Sequence, residues 1–235
     1  MSKVLALYGY GGVGKDTLAS LLKLQHGYHR IAFANQVREL AKAVNPRVIE
    51  DADGKSIHLN EVVYELGWDL AKRMFPEVRK LLQDLGEGAR TVIDQDVWLT
   101  QPLKIANNRE KVVITDLRYP NELKALVDAH SHVVSVHVIR EGVGPVNQHI
   151  SEKAADWVPD IVIDLSECSL EGMPKVAAEL VDRAERHWRD RANQIEKESA
   201  LKVAAKVMGT NYSPGAVAAM ASAQRGAWKH LSGEQ

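Results

Sequence analysis

Glycines and a lysine near the amino terminus have the spacing of a phosphate-binding loop. Four residues separate Gly9 from Gly14, and Lys15 follows directly. Such a loop wraps its backbone N–H groups around phosphate oxygens, so side chains would obstruct it, and its lysine reaches the β- and γ-phosphates of a nucleotide. A helix that starts after the loop adds the positive end of its dipole. The pattern predicts a nucleotide-phosphate site at Gly9, Gly11, Gly12, Val13, Gly14, Lys15, Asp16 and Thr17.

Asp16 departs from the usual pattern of such a loop. A Ser or Thr normally follows the lysine, and its hydroxyl binds Mg²⁺. Here Asp16 follows the lysine, and Thr17 comes one place later. A carboxylate in this position could ligate Mg²⁺, organise its waters or orient an acceptor, and a plain charge at the start of a helix is a further reading. The residue types alone leave these alternatives open.

Charged residues also follow two apolar runs farther along the chain. Asp116 comes directly after residues 112–115, and Arg118 lies two places later. Strands of an open α/β sheet end at the ligand crevice, so we expect Asp116 near Mg²⁺ and Arg118 near a transferring phosphoryl group or an acceptor phosphate. A surface Asp/Arg pair is the alternative. The second apolar run is 133–139, and Arg140 follows it directly. We expect Arg140 to neutralise charge in the transition state as a lid at 140–156 closes.

A third group of charged, amide and aromatic side chains suits a nucleotide acceptor. Arg79 and Gln83 share one helical face because their spacing is i, i+4. The group would supply a phosphate clamp, a hydrogen-bonding amide for a base edge and a surface for stacking. Its members are Arg38, Arg79, Gln83, Arg90 and Trp98. Charges on surface helices are common, so each residue alone carries little weight, and Arg38 carries the least.

The apolar pattern predicts a fold that can bring these separate segments to one crevice. Short apolar runs, several of them rich in Val and Ile, predict strands, and amphipathic segments between them predict helices. The predicted strands are 4–8, 29–34, 111–115, 133–139 and 160–164. Alternating strands and helices imply a three-layer α/β fold with a parallel sheet that is covered on both faces.

The long segment at 35–110 shows no convincing strand and is expected to be a helical insertion. The predicted helices are 36–44, 57–70, 76–85 and 95–106, with Gly86 ending the third. A loop of this length without secondary structure is uncommon in a compact domain. We expect residues 1–190 to form the main domain and residues 191–235, which are charged and then alanine-rich, to form a helical extension.

The composition excludes several classes of protein. A chain of 235 residues with 45% hydrophobic and 26% charged residues suits one globular domain with an appendage. A net charge of −1 argues against coating nucleic acid or an anionic membrane through bulk charge. A single cysteine excludes an internal disulfide and a multi-cysteine zinc site. Because no apolar run is as long as a membrane span, we expect a cytoplasmic protein.

Taken in order, the motifs resemble those of bacteriophage deoxynucleoside monophosphate kinases. The resemblance covers about residues 3–165 and rests on GYGGVGKDT, FANQVRELA, VRKLLQDLGEGAR with DVW, VVITDLRYPNE, a strand ending in Arg140, and HISE. It implies a nucleoside monophosphate kinase fold, with a five-stranded parallel sheet, an NMP-binding helical insertion and a small lid. It also implies transfer of the γ-phosphoryl group of ATP to a dNMP with Mg²⁺, in the host cytoplasm. Two departures are Asn35, where family members often carry Asp, and Val13, where a serine is often seen.

The same resemblance implies roles for the matching residues. ATP phosphates would bind the loop from Gly9 to Thr17, and Arg140 would belong to the lid. The implied catalytic residues are Lys15, Asp16, Arg118 and Arg140, and the implied metal ligands are Asp16 and Asp116. The acceptor nucleotide would contact Arg38, Arg79, Gln83, Arg90, Trp98 and Arg118.

Other readings stay open at this point. P-loop phosphomevalonate kinases share the Gly-Lys-Asp start, an Asp-x-Arg after a strand and a later Ser-Glu. A nucleotide-binding module without transferase activity would use the same loop. The segment 191–235 could pack on the core, form a homodimer or resemble a helix-turn-helix, and its few mixed charges make nucleic acid the least favoured partner.

Overall fold

Five apolar segments form a parallel sheet in the first of two compact units, which spans Met1–Ala184. The structure is a computed structural model that describes residues 2–50, 53–145 and 157–208, with side chains described as far as residue 203. The strands of this sheet are β1 Lys3–Tyr8, β2 His29–Ile31, β5 Lys111–Ile114, β6 His132–Ile139 and β7 Ile161–Asp164. The predicted α/β fold with a five-stranded parallel sheet is confirmed.

The strand order is β2-β5-β1-β6-β7, so the strand that precedes the glycine loop lies at the centre of the sheet. In the parallel register, Leu5 lies opposite Val113 on one side and Val134 on the other. Strands β2 and β5 lie on one side of β1, whereas β6 and β7 lie on the other, and ligands bind at such a switch point, outside the carboxyl ends of the strands. The topology therefore opens a crevice directly beyond β1.

Seven helices surround the strands among the described residues. They are α1 Lys15–His26, α2 Ala34–Val44, α3 Leu59–Met74, α4 Pro76–Val92, α5 Thr100–Asn107, α6 Pro120–Ala129 and α7 Met173–Met208. Alternate residues of β1, with Leu126 of α6 and Ala106 of α5, form one apolar cluster on a face of the sheet. Burying one side chain of the size of Leu126 contributes roughly 2 kcal/mol to folding.

The insertion between β2 and β5 has its own small core and contains a hairpin that the sequence analysis missed. Antiparallel strands β3 Arg47–Glu50 and β4 Ser56–His58 pair there, and their Ile49 and Ile57 pack against the apolar cluster of α2, α3 and α4. The expectation of helices alone is wrong at this point. Strands of four and three residues are too short to show a period of two, and their pairing depends on the helices beneath them.

Helix α4 continues to Val92, so the prediction that Gly86 ends it is wrong. A Cβ atom at Gly86 would lie 3.8 Å from a methyl group of Val37 on α2. The glycine therefore lies where α2 and α4 approach closely, and packing between helices outweighs the roughly 1 kcal/mol by which glycine disfavours a helix.

Helix α3 is interrupted at Gly67, whose φ of 68° and ψ of 166° are not helical. Only glycine adopts this backbone conformation readily. The helix extends past its predicted end at residue 70 and changes direction at this residue. Its second half, Trp68–Met74, carries the charged side chains of Asp69, Lys72 and Arg73.

At the carboxyl end, helix α7 runs from Met173 to Met208 and so crosses the boundary expected at residue 190. The second compact unit begins at Glu185, within that helix. Most of the expected lid, 146–156, and the tail 209–235 lie outside the described residues. Of the helices that are described, none combines the length and the hydropathy that crossing a membrane requires.

Candidate functional site

The glycine loop after β1 has a backbone that only glycine can form. Gly9 has a φ of 130°, and a Cβ atom there would lie 2.2 Å from the carbonyl oxygen of Val138. Gly14 has a φ of 110°, and a Cβ atom there would lie 2.9 Å from a methyl group of Leu165. Positive φ and close neighbours make both positions intolerant of a side chain. The loop therefore lies against β6 and the segment after β7 with its backbone exposed toward the crevice.

Lys15 and the start of α1 supply the positive charge of this loop. The Lys15 ammonium group donates hydrogen bonds to the carbonyl oxygens of Gly9 and Tyr10, both at 2.7 Å. Helix α1 begins at Lys15, and no side chain caps its first N–H groups. Those groups and the positive end of the helix dipole favour an anion at this end of α1. Geometry and charge both suit phosphate oxygens.

A cleft of about 800 Å³ joins the glycine loop to the helices of the insertion. The predicted site residues that line it are Gly11, Gly12, Gly14, Lys15, Asp16, Thr17, Arg38, Arg79, Gln83, Arg90, Trp98, Asp116 and Arg118. Gly9, Val13 and Arg140 do not line it. Val13 is buried beneath the loop and Gly9 lies against the backbone of β6, so both shape the loop from behind.

The cleft has a surplus of positive charge that the whole chain lacks. It is lined by eight cationic and five acidic side chains, whereas the chain carries a net charge of −1. The cationic residues are Lys15, Arg30, Arg38, Lys72, Arg73, Arg79, Arg90 and Arg118. A concave surface of one predominant sign concentrates ligands of the opposite sign. The cleft therefore suits a ligand with several negative charges.

Arg140 lies behind the glycine loop rather than in the cleft lining. Its Nη2 atom would be 3.8 Å from a Cβ atom built on Gly14. Its Nε atom is buried and has no hydrogen-bond partner among the described residues. The guanidinium group is thus beside the loop backbone, at the point where the chain enters the segment 141–145.

The two carboxylates expected to bind metal both have partners within the protein. Asp16 forms an ion pair with Arg30 of β2. Asp116 accepts hydrogen bonds from the backbone N–H groups of Phe33 and Ala34, each at 2.9 Å, and so caps the start of α2. Asp116 therefore has a clear structural role at the end of β5.

The donor set of the cleft nevertheless fits Mg²⁺ bound to a nucleotide. Among the described residues, no group of three or more His, Cys, Asp and Glu side chains could hold a metal ion. Mg²⁺ commonly takes one or two carboxylates together with substrate phosphates and waters, so it needs no such group. Asp16, Thr17 and Asp116 offer oxygen atoms on the same cleft as Lys15.

The wall opposite the glycine loop contains a buried network around Arg90. The Arg90 guanidinium lies 3.8 Å from the centre of the Tyr119 ring and donates a hydrogen bond to Asn121 Oδ1 at 3.1 Å. Its Nη1 atom is 3.9 Å from Glu122 Oε1, and both side chains are buried. The Tyr119 hydroxyl donates to Glu87 at 3.2 Å. These contacts fix the guanidinium plane of Arg90 at the cleft surface.

Glu122 is the most perturbed carboxyl group of this network. Its pKa is raised to about 7: burial, and to a smaller extent the nearby Asp116 charge, raise it, whereas N–H donors of Arg118 and Tyr119 and the charge of Arg90 lower it. Those N–H groups lie 2.8 and 3.1 Å from Glu122 Oε2. Burial likewise raises the pKa of Tyr119 to about 12. Glu122 therefore changes its charge near neutral pH.

Trp98 is oriented by the helix that it faces. Its indole N–H donates to the carbonyl oxygen of Gly86 at 2.9 Å, and only 9% of the residue is exposed. This hydrogen bond holds the edge of the indole ring against the backbone of α4. The expected stacking surface is thus limited to the part of the ring that faces the cleft.

Several cleft residues were not predicted as site residues: Arg30, Asp69, Lys72, Arg73, Glu87, Tyr119 and Glu122. Tyr119 and Glu122 belong to the motif that carries Arg118, so their proximity to it was a signal. Asp69, Lys72 and Arg73 have i, i+3 and i, i+4 spacing on α3, which places them on one helical face. Arg30 had no signal, since a single charge in a short strand is ordinary.

Comparisons with known proteins add a set of distant structural similarities. No protein-family model matches the sequence, and no curated protein is significantly similar to it. The structure is similar to that of an APS kinase from Mycobacterium tuberculosis in complex with AMPPNP and APS, at 15% identity and a TM-score of 0.39, over 78% of this chain and 98% of that one. It is also similar to a sugar kinase from Janibacter, at 13% identity and a TM-score of 0.39, over 78% and 96% of the two chains.

Proposed function

We propose that this chain is a P-loop kinase that transfers the γ-phosphoryl group of ATP to a deoxynucleoside monophosphate, giving ADP and a dNDP. The observation that carries the proposal is the shared cleft, because the glycine loop with Lys15 and the α4 residues Arg79, Gln83 and Arg90 all line it. A transferase needs a donor site and an acceptor site that face each other, whereas a binding module needs only the first.

On the donor side, the loop and Lys15 hold the β- and γ-phosphates. Backbone N–H groups of the loop, the start of α1 and the Lys15 ammonium group then replace the water that solvates those phosphates. Lys15 exchanges its hydrogen bonds to Gly9 and Tyr10 for phosphate oxygens. Mg²⁺ bound to ATP, with Thr17 and Asp116 as its protein oxygen donors, would neutralise charge on the phosphates.

On the acceptor side, arginines bind the phosphate of the dNMP, and the side-chain amide of Gln83 forms a hydrogen bond to the edge of its base. One oxygen of the acceptor phosphate forms a bond to the γ-phosphorus. The bond from the γ-phosphorus to the bridging oxygen breaks, and its electron pair leaves with ADP. Since a phosphate oxygen is the nucleophile, the step needs positioned cations rather than a strong base. Arg118 would stabilise the transferring group, and Arg140 would do so from the loop side.

The test is a coupled ADP-release assay with Mg-ATP and a panel of acceptors. We expect ADP formation with one or a few dNMPs, and mass spectrometry should identify the corresponding dNDP. The panel also includes ribonucleoside monophosphates and mevalonate phosphate. Lys15→Ala should lower turnover about a hundredfold or more, because it removes a charge that binds the transition state. Lys104→Ala, an exposed residue of α5 outside the cleft, is the matched control.

Each alternative has its own outcome in this assay. Turnover with mevalonate phosphate in place of dNMPs would assign the chain to another class of phosphomonoester kinase. Binding of Mg-ATP with no acceptor-dependent ADP would favour a nucleotide-binding module. Equal turnover in Lys15→Ala and Lys104→Ala would remove the glycine loop from the reaction.

A further inference from the structure

Arg30 and Asp16 connect two elements that meet at the reaction centre. Arg30 lies in the middle of β2, the edge strand, and Asp16 lies in the first turn of α1. Their side chains form an ion pair through Arg30 Nη2 and Asp16 Oδ1, and both residues line the cleft. The pair therefore links the start of the phosphate-binding helix to the strand that leads into the insertion.

Arg30 lies near a second acidic residue of the cleft. Asp69 of α3 lines the same cleft, and its pKa is held below the ordinary value, first by the hydrogen bond and charge of Lys72 and then by the charges of Arg38 and Arg30. Arg30 thus acts electrostatically on Asp69 of the insertion as well as on Asp16 of α1. Its side chain is 37% exposed, so solvent and ligand can reach it.

The guanidinium group of Arg30 retains donors for a ligand. Among the described residues, its hydrogen bonding is the one contact to Asp16, made through one terminal nitrogen. A guanidinium presents five N–H donors in a planar fork, which matches phosphate oxygens. The Asp16 carboxylate holds one side of this fork and so restricts the rotamers of the long Arg30 side chain. Binding of a ligand then costs less side-chain entropy.

We propose that Arg30 binds the phosphate group of the acceptor next to the glycine loop, and that Asp16 is the positioning residue that holds Arg30 there. This inference rests on the proposed kinase function and assigns Asp16 a role other than metal ligand. The start of α1 suits such an anchor because the helix dipole stabilises the negative charge of Asp16. The positioning role of Asp16 explains why a carboxylate replaces the usual hydroxyl after Lys15.

Binding of inorganic phosphate to protein saturated with Mg-ADP tests Arg30 without turnover. Phosphate is the group common to all phosphomonoester acceptors, and isothermal titration calorimetry measures its affinity. We expect Arg30→Gln to weaken phosphate binding about tenfold or more and Asp16→Asn to weaken it severalfold, with Mg-ADP affinity within about twofold of wild type. Arg47→Gln and Asp84→Asn, whose ion pairs lie outside the cleft, should match wild type.

A double-substitution cycle and a Mg²⁺ titration separate positioning from metal binding. If Asp16 acts through Arg30, Asp16→Asn should add little to the loss of phosphate affinity in Arg30→Gln. The Mg²⁺ concentration that gives half-maximal binding of AMPPNP should be the same in Asp16→Asn and wild type. Additive losses, or a marked rise in the Mg²⁺ requirement of Asp16→Asn, would overturn the role of Asp16.

The outcomes for this inference and for the proposed function are distinct. Wild-type phosphate affinity and dNMP turnover in Arg30→Gln would overturn the inference while the kinase function stands. Loss of phosphate binding in Arg30→Gln, with no dNMP phosphorylated by the wild type, would overturn the proposed function while Arg30 keeps its role. Failure of the wild type to bind Mg-ADP would overturn both. Circular dichroism and melting temperature show whether each variant is folded.

Discussion

The side chains of Arg90 and Glu122 are buried next to each other, but the distance between them is too long for a hydrogen bond. Arg90 Nη1 stays 3.9 Å from Glu122 and has no hydrogen-bond partner among the described residues. A buried guanidinium nitrogen without a hydrogen bond is unfavourable. The hydrogen bond to Asn121 and the contact with the Tyr119 ring offset part of that cost. Arg90 also lines the cleft, where its charge adds to the positive surplus.

Glu122 should make the stability of the protein depend on pH. Its folded-state pKa of about 7 lies above its usual value of 4.5. Between these values the folded protein holds a proton that the unfolded chain has released, so the free energy of unfolding falls as the pH rises. We expect a fall on the order of 3 kcal/mol from this group, on the basis of about 1.4 kcal/mol per pKa unit.

Urea unfolding of wild type and Glu122→Gln at pH 5, 6 and 7.5 measures this effect. Glutamine keeps an oxygen that accepts the N–H groups of Arg118 and Tyr119 but does not titrate in this range. The difference in unfolding free energy between the two proteins should therefore change with pH. Parallel curves for wild type and variant would show that Glu122 has an ordinary pKa.

Among elements, α4 is the one that decides the acceptor side of the cleft. Arg79 and Arg90 are eleven residues apart, which is close to three full turns, so both lie on one helical face roughly 16 Å apart along the axis. That arrangement requires the helix to continue through Gly86, as it does. Had the helix ended at Gly86, Arg90 would lie on a loop with no defined orientation toward Arg79.

The break at Gly67 orients the charged half of α3. Gly67→Ala should destabilise the protein by about 1–3 kcal/mol, because its φ of 68° with ψ of 166° is strained for any residue with a Cβ atom. It should also weaken phosphate binding, since Asp69, Lys72 and Arg73 follow the break and line the cleft. Urea unfolding and calorimetry measure the two effects.

Gly88→Ala is the matched control for this prediction. Gly88 lies within α4, and a Cβ atom there would meet no heavy atom within 4 Å. Alanine is favoured over glycine in a helix, so this variant should be neutral or more stable by up to about 1 kcal/mol. Equal stability of the Gly67→Ala and Gly88→Ala variants would contradict the proposed need for glycine at the break.

For the whole molecule, the division into two units bears on the role of the carboxyl-terminal residues. Within the part of the chain that the structure describes, the residues that line the cleft all lie between Gly11 and Glu122, in the first unit. A chain that ends at residue 190 should therefore keep kcat/KM for ATP and the acceptor within about twofold of the full chain. The coupled ADP-release assay compares the two chains.

The same truncation tests whether the segment 191–235 forms a homodimer, one of the alternatives that its sequence leaves open. A homodimer through this segment predicts a dimer for the full chain and a monomer for the truncated chain in native mass spectrometry, whereas packing on the core predicts a monomer for both. Loss of kcat/KM in the truncated monomer would show that the second unit completes the site. Tight binding of duplex DNA by the full chain but not by the truncated chain would favour nucleic acid as the partner.

Local sequence determined the sheet and the conformation of the glycine loop. A buried strand, glycines and a lysine are contiguous in the chain, so their geometry follows from backbone sterics and short-range periodicity. The strands β1 and β6 were predicted within a residue or two for the same reason. Arg79 and Gln83 were also predictable, since one helical face needs only i, i+4 spacing.

Tertiary structure decided the features that depend on contacts between distant segments. The β3–β4 hairpin, the continuation of α4 past Gly86 and the break in α3 reflect packing within the insertion, which overrides local propensity. The partners of Asp16 and Asp116 are likewise distant in sequence, at Arg30 and at the start of α2. The sequence shows that a carboxylate is present, but its partner is set by which distant segments the fold brings beside it.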